Sequence, residues 1–492
     1  MRIILLAALC LIQVLSLTAQ TAGDALRFSQ YNPTATARSV GVGGAIGALG
    51  GDFSVLSVNP AGIAVYRQSE VMISPALYLV NTESQLENGP ITDDNTTNLH
   101  LANVGFVVAS TRRERKWKAV NFGFGLNRNA NYNQQIFYRG NSAGSIVDRF
   151  VALAQGVAPI DLFDPEEGIA LDVGAIYQPD PNDPTFYEND LFAGDRLDRS
   201  QSARLRGATD EMVLSLGGNY EHKLYVGATI GVTFPRYEEE KSYLETDTPD
   251  NIDFFDELLF EEALITTGVG INAKLGLTYR ANQALRLGLA YHTPTATSLS
   301  DEYQNEIRFD ILFPDGTFES RTARSLLGEF TYTLYTPGRI VGQVGYIFGK
   351  SGFVSAEIDW ADYSSASYSF ADTNDPRNQQ LEQDLNDEID AAFKSAVNVR
   401  LGAEYVLQEK FRVRGGVQLL QSPFEVDTSD GFDTRFSVGA GVREQSFFID
   451  LGLQFSSADQ TFLPYVVPGG TSPMVDNTVN GTLIVLTAGL KI

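Results

Sequence analysis

Apolar and polar residues alternate along most of the chain, as they do in β-strands with one apolar face. In the segment 223–234, one face carries Leu224, Val226, Ala228, Ile230, Val232 and Phe234, and the other carries Tyr225, Gly227, Thr229, Gly231 and Thr233. The same division recurs at 285–292 and 447–455, where the second face holds charged residues such as Arg286 and Asp450. An apolar wall opposite a polar face with many small residues predicts an all-β transmembrane barrel.

The pattern predicts 14 antiparallel strands within residues 70–492. They lie at 70–82, 99–111, 119–137, 209–220, 223–235, 263–279, 284–297, 339–348, 353–368, 394–407, 411–420, 434–443, 447–457 and 482–492. Short turns alternate with long polar loops at 83–98, 138–208, 236–262, 298–338 and 369–393. Bacterial outer-membrane barrels have even strand numbers, short periplasmic turns and long outer loops, so both barrel ends are expected in the periplasm.

The chain termini predict export to the outer membrane of a Gram-negative cell. Residues 1–20 combine Arg2, an apolar stretch and small residues, which is typical of a secretory signal peptide whose removal takes away the only cysteine, Cys10. No later run reaches the 18 to 20 apolar residues of a membrane helix. The last strand alternates to Ile492, as in chains inserted by the barrel-assembly machinery, although many of those chains end on an aromatic residue.

Charge and composition exclude several function classes. The chain has 61 acidic and 36 basic residues and a net charge of −25, which excludes nucleic acid as a partner. With three histidines and no cysteine after residue 20, we predict no enzyme activity, no cofactor and no metal site, since only His292 has Ser298 and Asp301 near it in sequence. The acidic outer loops either bind divalent cations that bridge to lipopolysaccharide or are simply solvated. We expect a monomer surrounded by outer-membrane lipid and lipopolysaccharide.

Residues 21–69 lack outward alternation and are dense in glycine and alanine. The side chains of such a segment are too small for a lipid-facing strand, and the segment is too apolar for an exposed tail. It is therefore predicted to be an N-terminal plug, or hatch, inside the barrel of residues 70–492. The run from Gly41 to Gly51, then Asp52 and the motif Asn59, Pro60, Ala61 and Gly62, resembles the FadL/TodX family of outer-membrane transporters. The motif is either an ordinary turn or the hinge of the hatch.

The resemblance implies passive uptake of hydrophobic small molecules, such as long-chain fatty acids or aromatic hydrocarbons, with lateral exit at a kinked third strand. The third strand alternates up to Leu126 and then breaks at 127–133, where Asn127, Asn129 and Asn131 interrupt it. This break is either a kink or the start of a loop. Barrels of this kind can instead serve as adaptors for secretion or surface-attachment complexes, and this is the second interpretation of the function.

An outer helix is predicted within the loop 236–262. Apolar residues there have helical spacing and include Phe254, Phe255, Leu258 and Leu259. They form either a capture groove for an acyl chain or a packing surface against neighbouring loops, with the segment 145–157 as a possible partner.

Five basic residues are expected on the lumen face, and each either contacts the ligand or pairs with an acid or the plug. They are Lys274, Arg286, Arg400, Arg412 and Arg414, and the expected acidic partners are Glu404, Asp359 and Asp450. Pairing is favoured because an unpaired buried charge is costly.

Overall fold

Nineteen β-strands form one closed antiparallel sheet in this computed structural model, which describes residues 21–32, 36–111, 115–192, 194–248, 252–371, 375–426 and 432–492. The strands are β1 Glu70–Leu86, β2 Thr92–Thr111, β3 Trp117–Asn131, β4 Gln134–Ala143, β5 Arg196–Tyr220, β6 Leu224–Thr246, β7 Glu257–Arg280, β8 Leu285–His292, β9 Ala296–Leu312, β10 Phe318–Arg324, β11 Gly328–Tyr335, β12 Arg339–Ile347, β13 Gly352–Asp362, β14 Ser367–Phe370, β15 Ser395–Leu407, β16 Phe411–Gln421, β17 Phe432–Arg443, β18 Phe447–Phe462 and β19 Val475–Lys491. The sheet closes where β1 pairs with β19, from Glu70 opposite Lys491 to Leu86 opposite Val475. The predicted signal peptide lies outside the described residues.

The barrel wall has 14 strands, as the sequence predicted. Four wall strands are interrupted, so that β3 with β4, β8 with β9, β12 with β11 and β13 with β14 each form one wall strand. β10 is a hairpin arm that pairs with β9 alone among the described strands. The interruptions at 293–295 and 336–338 contain Pro294 and Pro337, which have no backbone N–H to donate to a neighbouring strand.

The two faces of the wall have the predicted polarity. The outer face carries an apolar belt around the barrel, made of exposed apolar side chains. Ile230, Ile271 and Leu289 belong to it, and each is more than half exposed. On the inner face Lys274, Arg414 and similar residues are buried. This arrangement places apolar side chains against lipid and polar side chains in the lumen, which is the architecture of an outer-membrane barrel.

Helices lie before the first strand and in the outer connections. They are α1 Ala22–Ser29, α2 Ala37–Gly41, α3 Val55–Val58, α4 Ile146–Ala154, α5 Ile169–Val173 and α6 Pro376–Ala392, with 3₁₀ turns at Pro60–Val65, Pro159–Asp161 and Tyr363–Ser365 and a π turn at Asp164–Gly168. Within the described part of the chain, none of these helices has the length and apolarity needed to cross a membrane.

The predicted helix in the loop 236–262 is wrong. β6 continues to Thr246, and β7 begins at Glu257. In the described part of the connection between them, Phe254 has a left-handed backbone with φ of 66°. The apolar spacing fitted a helix, but β7 is paired on both sides by β6 and β9, and pairing satisfies its backbone along the whole segment. Strands that extend outward in this way also shorten the predicted loops 138–208 and 298–338.

The extended strands and outer helices build an extracellular head with its own core. Phe255 and Leu258 are buried in it, and the ring of Phe260 lies 5.5 Å from that of Phe150 on α4. Phe254 packs on Phe313 at the surface. Leu259 is half-buried on the outer face. These contacts match the packing alternative for this segment and give no groove at Phe255 and Leu258.

Candidate functional site: a seam in the wall above a closed lumen

The third wall strand is broken where the sequence predicted. Its pairing with β5 shifts register between Arg128 and Ala130, which leaves Asn129 as a bulge, and β3 ends at Asn131 before β4 begins at Gln134. A bulge bends a strand and increases its local twist. The third wall strand therefore changes direction in its outer half.

A seam opens in the wall beside this bend. β2 pairs with β3 only from Thr111 to Asn103, which lies opposite Asn127. Beyond that point, no backbone pairing joins β2 to the third wall strand within the described residues. Side chains of the described residues bridge the seam: Asn131 Nδ2 donates to Asn98 Oδ1 at 3.2 Å, and Thr92 Oγ1 donates to the backbone carbonyl of Phe137 at 2.5 Å.

The seam starts at the height of the apolar belt. In β1, Leu77 and Leu79 lie opposite Leu99 and Thr97 of β2, and all three leucines are on the outer face. Leu79 is 37% exposed and Leu99 is 76% exposed. Since apolar side chains at this height face lipid, the seam begins in the part of the wall that faces the bilayer core.

A buried hydrogen-bond network joins the seam to the N-terminal segment. Asn127 Nδ2 donates to Ser57 Oγ at 2.9 Å, and Ser57 Oγ donates to Glu211 Oε2 at 2.8 Å. Lys274 forms an ion pair with Glu211, and its Nζ lies 2.9 Å from Asn272 Oδ1. Two of the predicted site residues, Asn127 and Lys274, therefore meet through Ser57 and Glu211. Neither of these two partners was identified from sequence.

Residues 36–66 are largely buried and contact the lumen face on opposite sides of the barrel. On one side, the Asn59 side chain caps the 3₁₀ turn, because its Oδ1 accepts a hydrogen bond from Ala61 N at 3.1 Å. Its Nδ2 donates a second hydrogen bond to Gln343 Oε1 on the wall at 2.6 Å. A Cβ on Gly227 would lie 2.2 Å from Pro60 O. On the other side, a Cβ on Gly416 would lie 2.3 Å from Gly43 N. A Cβ on Gly62 would lie 2.8 Å from Val55 Cγ2 and 3.0 Å from Gly50 Cα. The division into plug and barrel at residue 69, and a hinge role for Asn59, stay predictions.

Ion pairs fill the lumen beside this segment. Glu404 accepts from Arg38 at 3.2 Å and from Arg414 at 2.7 Å, and Arg414 also lies 2.7 Å from Asp450. Arg400 forms a second group with Glu357 at 3.0 Å. An apolar solute crossing at this depth would have to separate buried charges that have no water to replace their partners.

The spaces left in the lumen are small. One cavity of about 30 Å³ is lined by Val40, Gln418 and Arg435 among others, and one of about 50 Å³ by Phe28, Asn129 and His292 among others. Each is only large enough for a few water molecules. At the level of these two cavities, and within the described residues, the lumen is therefore closed, with α1 and the residues after it in the space inside the seam.

The expected pairing of the lumen cations is found for Arg400, Arg412 and Arg414, which pair with acids. Arg286 donates to the backbone carbonyl of Leu49. The signal by which Glu211 could have been found is an acid at a lumen-facing position of β5, where it lies opposite Thr233 of β6.

Sequence comparison finds no matching family model and no matching curated protein. Solved structures match over nearly the whole chain. A FadL homologue from Pseudomonas aeruginosa is 15% identical with a TM-score of 0.54, covering 94% of this chain and 99% of that chain. The chain has the FadL/TodX fold. A mutant of TodX, described as a monoaromatic hydrocarbon channel, is 12% identical with a TM-score of 0.51 and covers 94% of this chain and 99% of its own. At these identities the likeness concerns the fold, and it confirms the barrel class implied by the Gly41–Gly51 region.

Proposed function

We propose that this protein is an outer-membrane channel that takes up hydrophobic small molecules and releases them sideways, through the seam, into the membrane. The observation that carries the proposal is the end of β2–β3 pairing at Asn103 and Asn127, at the height of the apolar belt. A solute leaving there passes from the barrel interior into hydrocarbon without crossing water, which keeps its apolar area dry at about 25 cal/mol per Å².

The closed lumen supports the lateral route. The direct route to the periplasm passes the ion pairs of Arg414 and Arg400, which an apolar solute cannot replace. Release through the seam requires the loss of side-chain hydrogen bonds such as that between Asn98 and Asn131, and each of these contributes about 1 kcal/mol. Sideways release therefore separates fewer buried charges than the direct route does.

The cargo class rests on the fold neighbours. The TodX mutant is described as a monoaromatic hydrocarbon channel, and the other neighbour as a FadL homologue. Long-chain fatty acids and aromatic hydrocarbons are accordingly the compounds to test first. Insertion by the barrel-assembly machinery, contact with lipopolysaccharide and a monomeric state stay predictions.

The test is a reversible cross-link across the seam. Asn98→Cys and Asn131→Cys, joined by a short cleavable linker, would hold β2 to the third wall strand. The matched control is Asn81→Cys with Asn95→Cys, because these exposed asparagines also touch at 3.2 Å but join β1 to β2 within a paired hairpin. Uptake of labelled fatty acid and toluene is measured in cells with an intact lipopolysaccharide leaflet, since phospholipid bilayers admit such solutes unaided.

We expect the seam cross-link to stop uptake, cleavage of the linker to restore it, and the control cross-link to leave it unchanged. Equal uptake by both cross-linked variants would contradict lateral release. No uptake of either compound by the wild type would contradict transport itself and favour the adaptor interpretation, for which the seam has no role.

A further inference from the structure

The outer surface of the barrel carries an excess of arginines beside the seam, on the third wall strand, β5 and β6. Outward from the level at which Arg128 lies opposite Asp210, the outer face of these strands has six basic and four acidic residues. The basic residues are Arg128, Arg139, Arg196, Arg204, Arg206 and Arg236. The chain as a whole has a net charge of −25, so this local excess of positive charge runs against its composition.

The four acids of this surface are each engaged within it. Asp210 accepts two hydrogen bonds from Arg128, at 2.8 and 3.0 Å. The other three acids and their partners are Glu238 with Arg236 at 2.8 Å, Glu240 with Arg206 at 3.9 Å and Asp198 with Asn141 at 2.8 Å. These contacts leave no acid of this surface to neutralise the remaining arginines.

Two of the arginines, Arg139 and Arg204, have no partner in the protein. Both are exposed, and neither forms a hydrogen bond or an ion pair among the described residues. Arg204 on β5 lies opposite Gln135 of β4, and Arg139 lies four residues farther out on β4. Each guanidinium has five N–H donors in a planar fork, so the pair presents unused donors for an anion outside the protein.

The arginines begin at the level where the apolar belt ends. Ile265, the outermost exposed large apolar residue of β7, lies opposite Glu238 of β6, and Glu238 lies opposite Arg206 of β5. Arg204 is two residues farther out than Arg206. Hydrocarbon gives way to lipid head groups at the edge of an apolar belt, and in the outer leaflet of this membrane the head groups belong to phosphorylated glycolipids.

Acids on the neighbouring strands leave one direction of approach to Arg204. On β7, Glu261 is exposed and has no ion-pair partner among the described residues, and it lies opposite Glu306 of β9. On the other side, β4 pairs with β5 alone among the described strands, so its second edge borders the seam. An anion is therefore repelled on the β7 side of Arg204 and attracted on the β4 side, where Arg139 lies.

We propose that Arg139 and Arg204, with Arg206 beside them, bind the phosphate groups of lipid A, the membrane anchor of lipopolysaccharide, on the outer surface of the barrel next to the seam. A guanidinium matches a phosphate through two parallel hydrogen bonds, and the acyl chains of the lipid lie along the apolar belt below. The inference goes beyond the proposed function, because this outer surface binds a lipid of the membrane whether or not a solute passes the seam.

The test counts the lipid A molecules bound to the refolded protein in detergent by native mass spectrometry. It compares diphosphoryl lipid A with the same lipid after removal of both phosphates, and we expect the wild type to bind the phosphorylated form about tenfold more tightly. Arg139→Gln combined with Arg204→Gln should lower the affinity for the phosphorylated lipid by about 10- to 30-fold and leave that for the dephosphorylated lipid unchanged. A heat-modifiable gel shift checks that the variant barrel is folded.

The matched control is Arg67→Gln. Arg67 is also exposed and has no ion-pair partner among the described residues, but it lies at the end of the barrel with the short turns, within electrostatic range of His222. This variant should bind phosphorylated lipid A as the wild type does.

Three results for the lipids overturn the inference: equal affinity of the wild type for both lipids, an unchanged affinity in the double variant, or an equal loss in Arg67→Gln. Binding of inorganic phosphate as tightly as lipid A also overturns it, because the arginines would then serve a soluble anion. A dimer that forms without lipid and dissociates in the double variant overturns it as well, because the surface would then belong to a second copy of the chain. None of these outcomes bears on uptake through the seam, which is measured separately.

Discussion

Asn127 Nδ2 donates a hydrogen bond to Ser57 Oγ at 2.9 Å, and this bond joins the last residue of the third wall strand that pairs with β2 to the segment inside the barrel. Asn127 Oδ1 also accepts from Asn103 Nδ2 at 2.8 Å. One side chain thus links both edges of the seam's starting point to the N-terminal segment. This arrangement predicts that movement of that segment and opening of the seam are coupled through Asn127.

Replacement of Asn127 tests this coupling. Asn127→Ala removes both bonds and leaves Ser57 and Asn103 with fewer partners in a buried site, so we expect a loss of about 1–3 kcal/mol in the free energy of unfolding. Urea unfolding of the barrel refolded in liposomes measures it. Asn141→Ala serves as control, because Asn141 also bonds through its amide, to Asp198 at 2.8 Å, but in an exposed position. If both variants lose the same free energy of unfolding, the buried hydrogen bonds of Asn127 contribute no more to stability than an exposed one does.

Deletion of Asn129 tests the bend. Arg128 and Ala130 already pair with the adjacent residues Asp210 and Thr209 of β5, so deletion of the bulged residue leaves a regular ladder. We expect a straighter third wall strand, a narrower seam and uptake reduced by at least tenfold, in a barrel that still shows a folded gel shift. Undiminished uptake by the folded deletion variant would show that the bend is not needed for the exit.

Close contact between the N-terminal segment and the wall is tested at a glycine. In Gly227→Ala the new methyl would meet Pro60 O at 2.2 Å, so either the 3₁₀ turn or β6 must move. We expect destabilisation by about 1–3 kcal/mol and faster proteolysis of the N-terminal segment. Gly342→Ala is the matched control, because a Cβ there meets nothing within 4 Å. The same cost at both positions would mean that the loss comes from the strand and not from the contact with Pro60.

Sequence periodicity predicted the elements whose environment repeats along the chain. The alternation at 224–234 predicted a wall strand correctly, because lipid on one face and the lumen on the other impose a period of two on its residues. The run from Asn127 to Asn133 departs from that period, and it therefore predicted the position of the bend. The helix at Phe254 to Leu259 failed because the same apolar spacing fits a turn followed by a paired strand. Which acid pairs with each lumen cation could not be predicted, since Lys274 on β7 meets Glu211 on β5, which is distant from it in sequence.

The extracellular head provides a test that does not depend on transport. Glu167 lies in the π turn Asp164–Gly168, is buried, and accepts from Phe163 N at 2.9 Å through Oε1, while Oε2 has no hydrogen-bond partner within the described residues. Burial raises the pKa of Glu167 above its ordinary value of 4.5, and the hydrogen bond from Phe163 offsets only part of this.

A carboxyl whose pKa is raised by folding binds its proton more tightly in the folded state. Its contribution to stability is therefore greatest at low pH and is lost as the pH rises from 4.5 through the raised value. Glu167→Gln keeps the acceptor for Phe163 and removes the charge, so we expect the variant head to be more stable than the wild type by roughly 1 kcal/mol at pH 8 and by less at pH 5. Hydrogen exchange of α4 and α5 at the two pH values measures the difference. Asp161→Asn, at an exposed carboxyl of the same head, should leave the exchange unchanged. If Glu167→Gln stabilises the head equally at both pH values, the stabilisation comes from packing and not from removal of the buried charge.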